Sequence, residues 1–85
     1  DRNLKILIPE SLNYQDALDE VLKKYTRKYH LEMVRTTNMG SLYELRYTVT
    51  LKSRREEKAM MDALRERNGN LPITCAGILP KKDEL

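Results

Sequence analysis

Residues 43–51 alternate without a break. Tyr43, Leu45, Tyr47, Val49 and Leu51 fall on one side of an extended chain, and Glu44, Arg46, Thr48 and Thr50 fall on the other. Successive side chains of a strand point to opposite faces, so this pattern dictates a strand with one face buried. Its apolar side is rich in the aromatic and branched types that suit a pleated surface. Asn38-Met39-Gly40-Ser41 precedes it as a turn signal, in which Gly40 can take a positive φ without steric cost. A shorter extended run, Leu31 to Thr37, comes before the turn. The two runs, Leu31–Thr37 and Leu42–Lys52, form a β-hairpin at the centre of the chain, and the remaining segments must cover its apolar face.

Leu4 to Pro9 reads as a further strand with Leu4, Ile6 and Ile8 on one face. Leu7 points the other way, and Pro9 ends the strand because it has no N–H to donate. Asn13 to Tyr29 reads as the first helix. Tyr14, Ala17, Leu18, Val21, Leu22 and Tyr25 keep the spacing of one helical face. Asn13 is the expected N-cap. Asp16, Asp19 and Glu20 lie early and Lys23, Lys24, Arg27 and Lys28 late, the order that suits the helix dipole. Asp19 with Lys23 and Glu20 with Lys24 are i,i+4 pairs. Ser53-Arg54-Arg55-Glu56 has the form of a capping box opening a second helix. Its apolar side is Met60, Met61, Ala63, Leu64 and the stem of Arg67, and Asn68-Gly69 stops it. Leu71 to Ala76 completes the set as a strand, and Pro72 predicts an edge position for it.

The element order is therefore β-α-β-β-α-β, the order of a ferredoxin-like α+β fold. The expectation is a four-stranded antiparallel sheet in the order 4-1-3-2, with two helices on one face. Residues 1–79 make one domain, near the lower end of the size that supports a single core, and residues 80–85 form a charged tail. Lys82-Asp83-Glu84-Leu85 matches an ER-retention tetrapeptide, a coincidence easily met in a charged tail.

No enzymatic constellation stands out. The one histidine, His30, falls at the expected junction of the first helix and the second strand, where its protonated form suits the helix dipole. The one cysteine, Cys75, excludes an intrachain disulfide and a cysteine metal cluster, and its apolar neighbours predict a small buried hydrophobe. No nucleophile-plus-base pair, phosphate-binding glycine loop or paired carboxylates are present. The sequence thus predicts no catalytic residue, no metal and no cofactor. No apolar run approaches the ~18 residues that span a bilayer.

The net charge of +3 and pI near 9.1 are mildly basic. RNA binding on the open sheet face needs aromatics, and the polar side of residues 43–51 has none, so no nucleic-acid partner is expected. Two basic clusters, Lys23, Lys24, Arg27 and Lys28 with Arg54, Arg55 and Lys58, suit a polyanion or an anionic lipid surface. Leu7, Val34 and Leu42 are read as pointing to the helix-free side of the sheet. They would support self-association through the sheet face or edge. The turn Thr36, Thr37, Asn38, Met39, Gly40 and Ser41 is more polar than a tight turn requires, and it is the predicted ligand or partner contact.

Arg35 to Leu45, Leu64 to Leu71 and the start Ile8-Pro9-Glu10-Ser11-Leu12-Asn13-Tyr14 together resemble the C-terminal soluble domain of a family of bacterial polytopic membrane proteins, often encoded near VTC-like polyphosphate polymerases. The resemblance covers roughly Leu4 to Ile73. It implies a non-catalytic cytoplasmic regulatory or assembly domain of a transporter-like inner-membrane protein. The transmembrane segments would lie outside this sequence, and polyphosphate is a polyanion consistent with that setting. The layout also resembles ACT-type regulatory domains, which bind small effectors where domains pair. Those sites usually use a glycine-containing loop after the first strand, and Glu10-Ser11-Leu12-Asn13 has no glycine.

Overall fold

The computed structural model describes residues 1–77, with Asn38 by its backbone only. The elements are β1 (Arg2–Pro9), α1 (Tyr14–Tyr25), β2 (Thr26–Thr37), β3 (Leu42–Leu51), α2 (Glu57–Arg67) and β4 (Ile73–Gly77). The sheet is antiparallel throughout, in the order β2-β3-β1-β4. Read from the opposite edge, this is the expected 4-1-3-2. The long alternating strand β3 lies inside the sheet, and β4 lies at an edge. Pro72 sits just before β4, where its carbonyl still accepts from the Leu7 N–H at 3.4 Å.

One face of the sheet carries the core. Leu4, Ile6 and Ile8 of β1 and Leu45, Tyr47 and Val49 of β3 are buried against Leu18, Val21 and Leu22 of α1 and Met60 and Leu64 of α2. Each fully covered aliphatic side chain contributes about 1.5–3 kcal/mol of transfer free energy. Tyr29 adds a tilted ring contact with Tyr47, their centroids 6.4 Å apart. Cys75 faces the same side from β4, half-buried, and burial pushes its thiol pKa up, with Glu57 adding to the rise and Arg2 opposing it.

α1 ends four residues earlier than its charge pattern predicts. Thr26 is already extended, and its Oγ1 donates to the Leu22 carbonyl at 2.6 Å. A branched residue whose hydroxyl reaches back one turn competes with helix continuation. Arg27, Lys28 and His30 therefore belong to β2. His30 pairs with Thr48 in mid-strand, is exposed, and has no helix terminus beside it. The Asp19–Lys23 and Glu20–Lys24 pairs are not formed, and Glu20 accepts instead from Arg67 Nη2 across the two helices at 2.6 Å. Asn13 does not cap α1 through its side chain, which donates to Asp16 Oδ2 at 3.2 Å.

The register of β2 shifts at two places, between Thr26 and Lys28 and between Leu31 and Met33. The second bulge, at Glu32, puts Val34 opposite Leu45 on the helix side, not on the open face. One extra residue moves every later side chain to the other face. Leu7 and Leu42 do lie on the open face, with Glu44 and Pro9 as their cross-strand partners.

At the start of α2, Ser53 Oγ accepts from the Arg55 N–H at 3.2 Å, and the first turn, Arg54–Glu56, is a 3-10 turn before the α-helix begins. At its end, Gly69 has φ +74° and the Asn70 N–H donates to the Arg65 carbonyl at 2.9 Å, the closing bond of a Schellman cap. Asn68 is fully buried there and ties the helix end to β1. No helix among the described residues is long and apolar enough to cross a membrane. The charged tail lies outside the described residues.

Candidate functional site

Pairing of β2 with β3 joins the two basic clusters. Thr26 lies opposite Leu51, Lys28 opposite Thr50, and the Lys52 N–H donates to the Tyr25 carbonyl at 3.1 Å. The last turn of α1, the start of β2 and the segment after β3 therefore meet at one end of the fold. The segments that meet there carry Lys23, Lys24, Arg27, Lys28, Lys52, Arg54 and Arg55. These are seven of the sixteen Lys and Arg in the chain. All are exposed, and none takes part in an ion pair among the described residues.

Carboxylates border this end: Lys24 shares a depression with Glu20, Asp62 and Glu66, and Lys28 shares one with Asp1 and Glu32. Glu57 holds Arg2 Nε at 2.9 Å, and Asp1 accepts from the Thr50 hydroxyl at 3.0 Å. Glu56 is the single carboxylate within the two basic segments. Lys24 Nζ lies 5.2 Å from the centroid of the Tyr25 ring. Lys58 separates from the group. It pairs with Asp62 at 2.9 Å, one turn along α2. Lys52, which sequence reasoning left out, joins the group through its backbone bond to Tyr25.

The predicted contact turn lies at the other end of the β2–β3 hairpin. Thr36 and Thr37 still pair, with Tyr43 and Leu42. Met39 is fully exposed and left-handed at φ 59°, and Gly40 follows at φ +87°. The Ser41 carbonyl accepts from the Glu10 N–H at 3.3 Å, which ties the turn to the loop after β1. Residues 36–41 themselves include no charged residue.

The open face of the sheet holds a third group, which the sequence did not single out. Glu44, Arg46, Thr48 and Thr50 face away from the helices as their alternation predicts. Glu44 is nonetheless buried, at 3% exposure, because cations from three strands cover it. Arg46 Nε donates to Glu44 Oε2 at 2.7 Å, Arg35 Nη2 to Oε1 at 3.2 Å, and Lys5 Nζ lies 4.0 Å from Oε1. The Arg46 hydrogen bond is the main reason the Glu44 carboxyl titrates below its usual range. Burial opposes it, and Arg35 and Lys5 reinforce the lowering. The hairpin register could have found the Arg35–Glu44 pair, because the turn fixes which residues sit opposite each other.

His30 Nε2 lies 3.9 Å from Glu32, on the exposed edge strand. Among the described residues no three His, Cys, Asp or Glu side chains gather as a metal would require. Comparison with known proteins returns no match among family models, curated proteins or solved structures.

Proposed function

We propose that this chain is a non-catalytic, ferredoxin-like binding domain that docks on polyanions through its basic end. The single observation behind this reading is the meeting, at one end of the fold, of three segments of α1, β2 and the stretch after β3 that carry seven cations, none of them in an ion pair among the described residues. Like charges held together on a folded surface repel, and a partner that neutralises them is attracted. Each Lys or Arg brought near an anionic surface contributes about 1 kcal/mol at moderate salt. The motifs at Ile8–Tyr14, Arg35–Leu45 and Leu64–Leu71 support a cytoplasmic regulatory or assembly role beside a bacterial membrane protein. In that setting the partner would be an anionic leaflet or a soluble polyanion.

Titration with polyphosphate and with anionic vesicles at several salt concentrations tests the reading. Binding should weaken steeply with salt. Replacing Arg27, Arg54 and Arg55 together with Gln should cost about 3 kcal/mol, roughly a hundredfold in affinity. Lys58→Gln should change little, because Lys58 is already paired with Asp62. Binding that ignores salt, or that survives the triple replacement, removes the proposal.

A second reading, self-association through β2, has its own observation. Among the described residues the exposed large apolar side chains, Met33, Val34 and Met39, lie on the edge strand β2 or its turn. Light scattering across a concentration series decides it, and a strict monomer at high concentration rejects it.

A further inference from the structure

We propose that the open face of the sheet holds a separate small-ligand site for a phosphate group, built by Lys5, Arg35 and Arg46 around the buried Glu44. This site shares no residue with the basic end. Three cations surround the one carboxylate of Glu44, and with Glu32 counted on the rim one positive charge remains in excess. The repulsion among the cations is a cost carried by the unliganded face, and a phosphate oxygen anion placed between them relieves it.

The contacts also leave the right donors open. Arg46 engages Glu44 through Nε only, and it makes no other hydrogen bond among the described residues. Both of its terminal nitrogens therefore remain unbonded, and together they form the fork that grips phosphate oxygens. Arg35 uses only Nη2 and keeps Nε and Nη1. Each of the three cations is about half exposed, while Glu44 beneath them is covered. Glu44 thus acts as a positioning residue. It holds flexible side chains in one place before a ligand arrives, which lowers the ordering cost of binding.

A depression of about 310 Å³ is lined by Lys5 and Arg46, with Asn3, Glu32, Thr74 and Ala76, while Arg35 and Glu44 lie outside its lining. Asn3 and Thr74 supply neutral polar groups beside the cations. Glu32 supplies a carboxylate on the same rim, which would repel a second phosphate and accept from an amine or hydroxyl. The class of ligand that fits is a small phosphate monoester carrying such a donor.

Titrating the chain with inorganic phosphate and with phosphoethanolamine, followed by backbone and arginine Nε NMR signals, tests this. Saturable shifts are expected at Lys5, Arg35, Arg46 and Thr74, with phosphoethanolamine the tighter ligand. Arg46→Gln should weaken binding about tenfold, the loss of one charge-assisted contact. Lys5→Gln removes a cation while leaving Glu44 its two arginines, and should weaken binding with the spectrum otherwise intact. Glu44→Gln is decisive, because it raises the net charge by one. Unorganised charge attraction would strengthen, whereas an organised site should weaken at least threefold. Equal or tighter binding by Glu44→Gln overturns the proposal. So do shifts confined to residues 23–28 and 52–55, or no saturable binding. The Arg27, Arg54 and Arg55 replacement should leave this site unchanged, so the two sites succeed or fail separately.

Discussion

Thr26 Oγ1 donates to the carbonyl of Leu22 at 2.6 Å, and the Thr26 backbone N–H reaches the same oxygen. This pair of bonds marks where α1 stops and β2 starts, and it fixes Arg27 and Lys28 on a strand beside β3. Thr26→Val keeps the shape and the backbone bond but deletes the hydroxyl. It should cost about 1 kcal/mol, the net worth of one buried hydrogen bond. Urea unfolding measures the cost. Amide exchange should accelerate first in residues 23–25, the turn this bond closes.

Asn68 is the second joint that a single residue holds. Its Nδ2 donates to the Leu7 carbonyl at 2.8 Å and to the Leu71 carbonyl at 3.1 Å, joining the end of α2 to β1 and to the lead into β4. Its Oδ1 is buried without a partner among the described residues. Asn68→Ala strands two carbonyls and opens a void, and should destabilise by about 2–3 kcal/mol. Asn68→Asp should be worse at neutral pH, because it sets a charge against those carbonyls. Its deficit should shrink in acid, as the carboxyl regains a proton. Denaturant midpoints at two pH values separate the variants.

Met39 gives a prediction of the opposite sign. It is fully exposed and sits at φ 59°, ψ 31°, a region that side chains with a Cβ adopt at a cost. Met39→Gly loses no buried surface and removes that cost, which outweighs the added freedom of the unfolded chain. Stability should rise by about 0.5–1 kcal/mol. A fall would mean that the Met39 side chain makes a contact in solution that its exposure does not reveal.

The parts of this fold that were legible in the sequence are those set by local periodicity. β3 was readable because every second residue from Tyr43 to Leu51 is apolar. The stop of α2 was readable because Gly69 takes a conformation that side chains resist. The end of α1 was misread because Tyr25 and Tyr29 keep helical spacing, and Arg27 and Lys28 resemble the cations of a last helical turn. The offset at Glu32 follows from pairing with β3, which no local pattern encodes. For the same reason the basic residues read as two clusters. Their union depends on Thr26 lying opposite Leu51. Glu44 looked like an ordinary exposed position, since its cover comes from strands far apart in the chain.

Glu44 also makes the acid stability of the domain predictable. Its hydrogen bond from Arg46, and then its interactions with Arg35 and Lys5, hold its folded pKa below the unfolded value despite burial. The unfolded chain therefore takes up the proton first as pH falls. The stabilisation is complete above the ordinary carboxylate range and is lost as pH drops towards the folded pKa. Glu20, lowered chiefly by its hydrogen bond and then by its charge interaction with Arg67, acts in the same direction. It is well exposed, so solvent screens its share. Denaturant midpoints from neutral pH to about pH 3 should decline in the parent chain. They should decline less steeply in Glu44→Gln and be nearly unaltered in slope in Glu20→Gln. If Glu44→Gln retains the full acid limb, the carboxylate is not held by its three cations in solution.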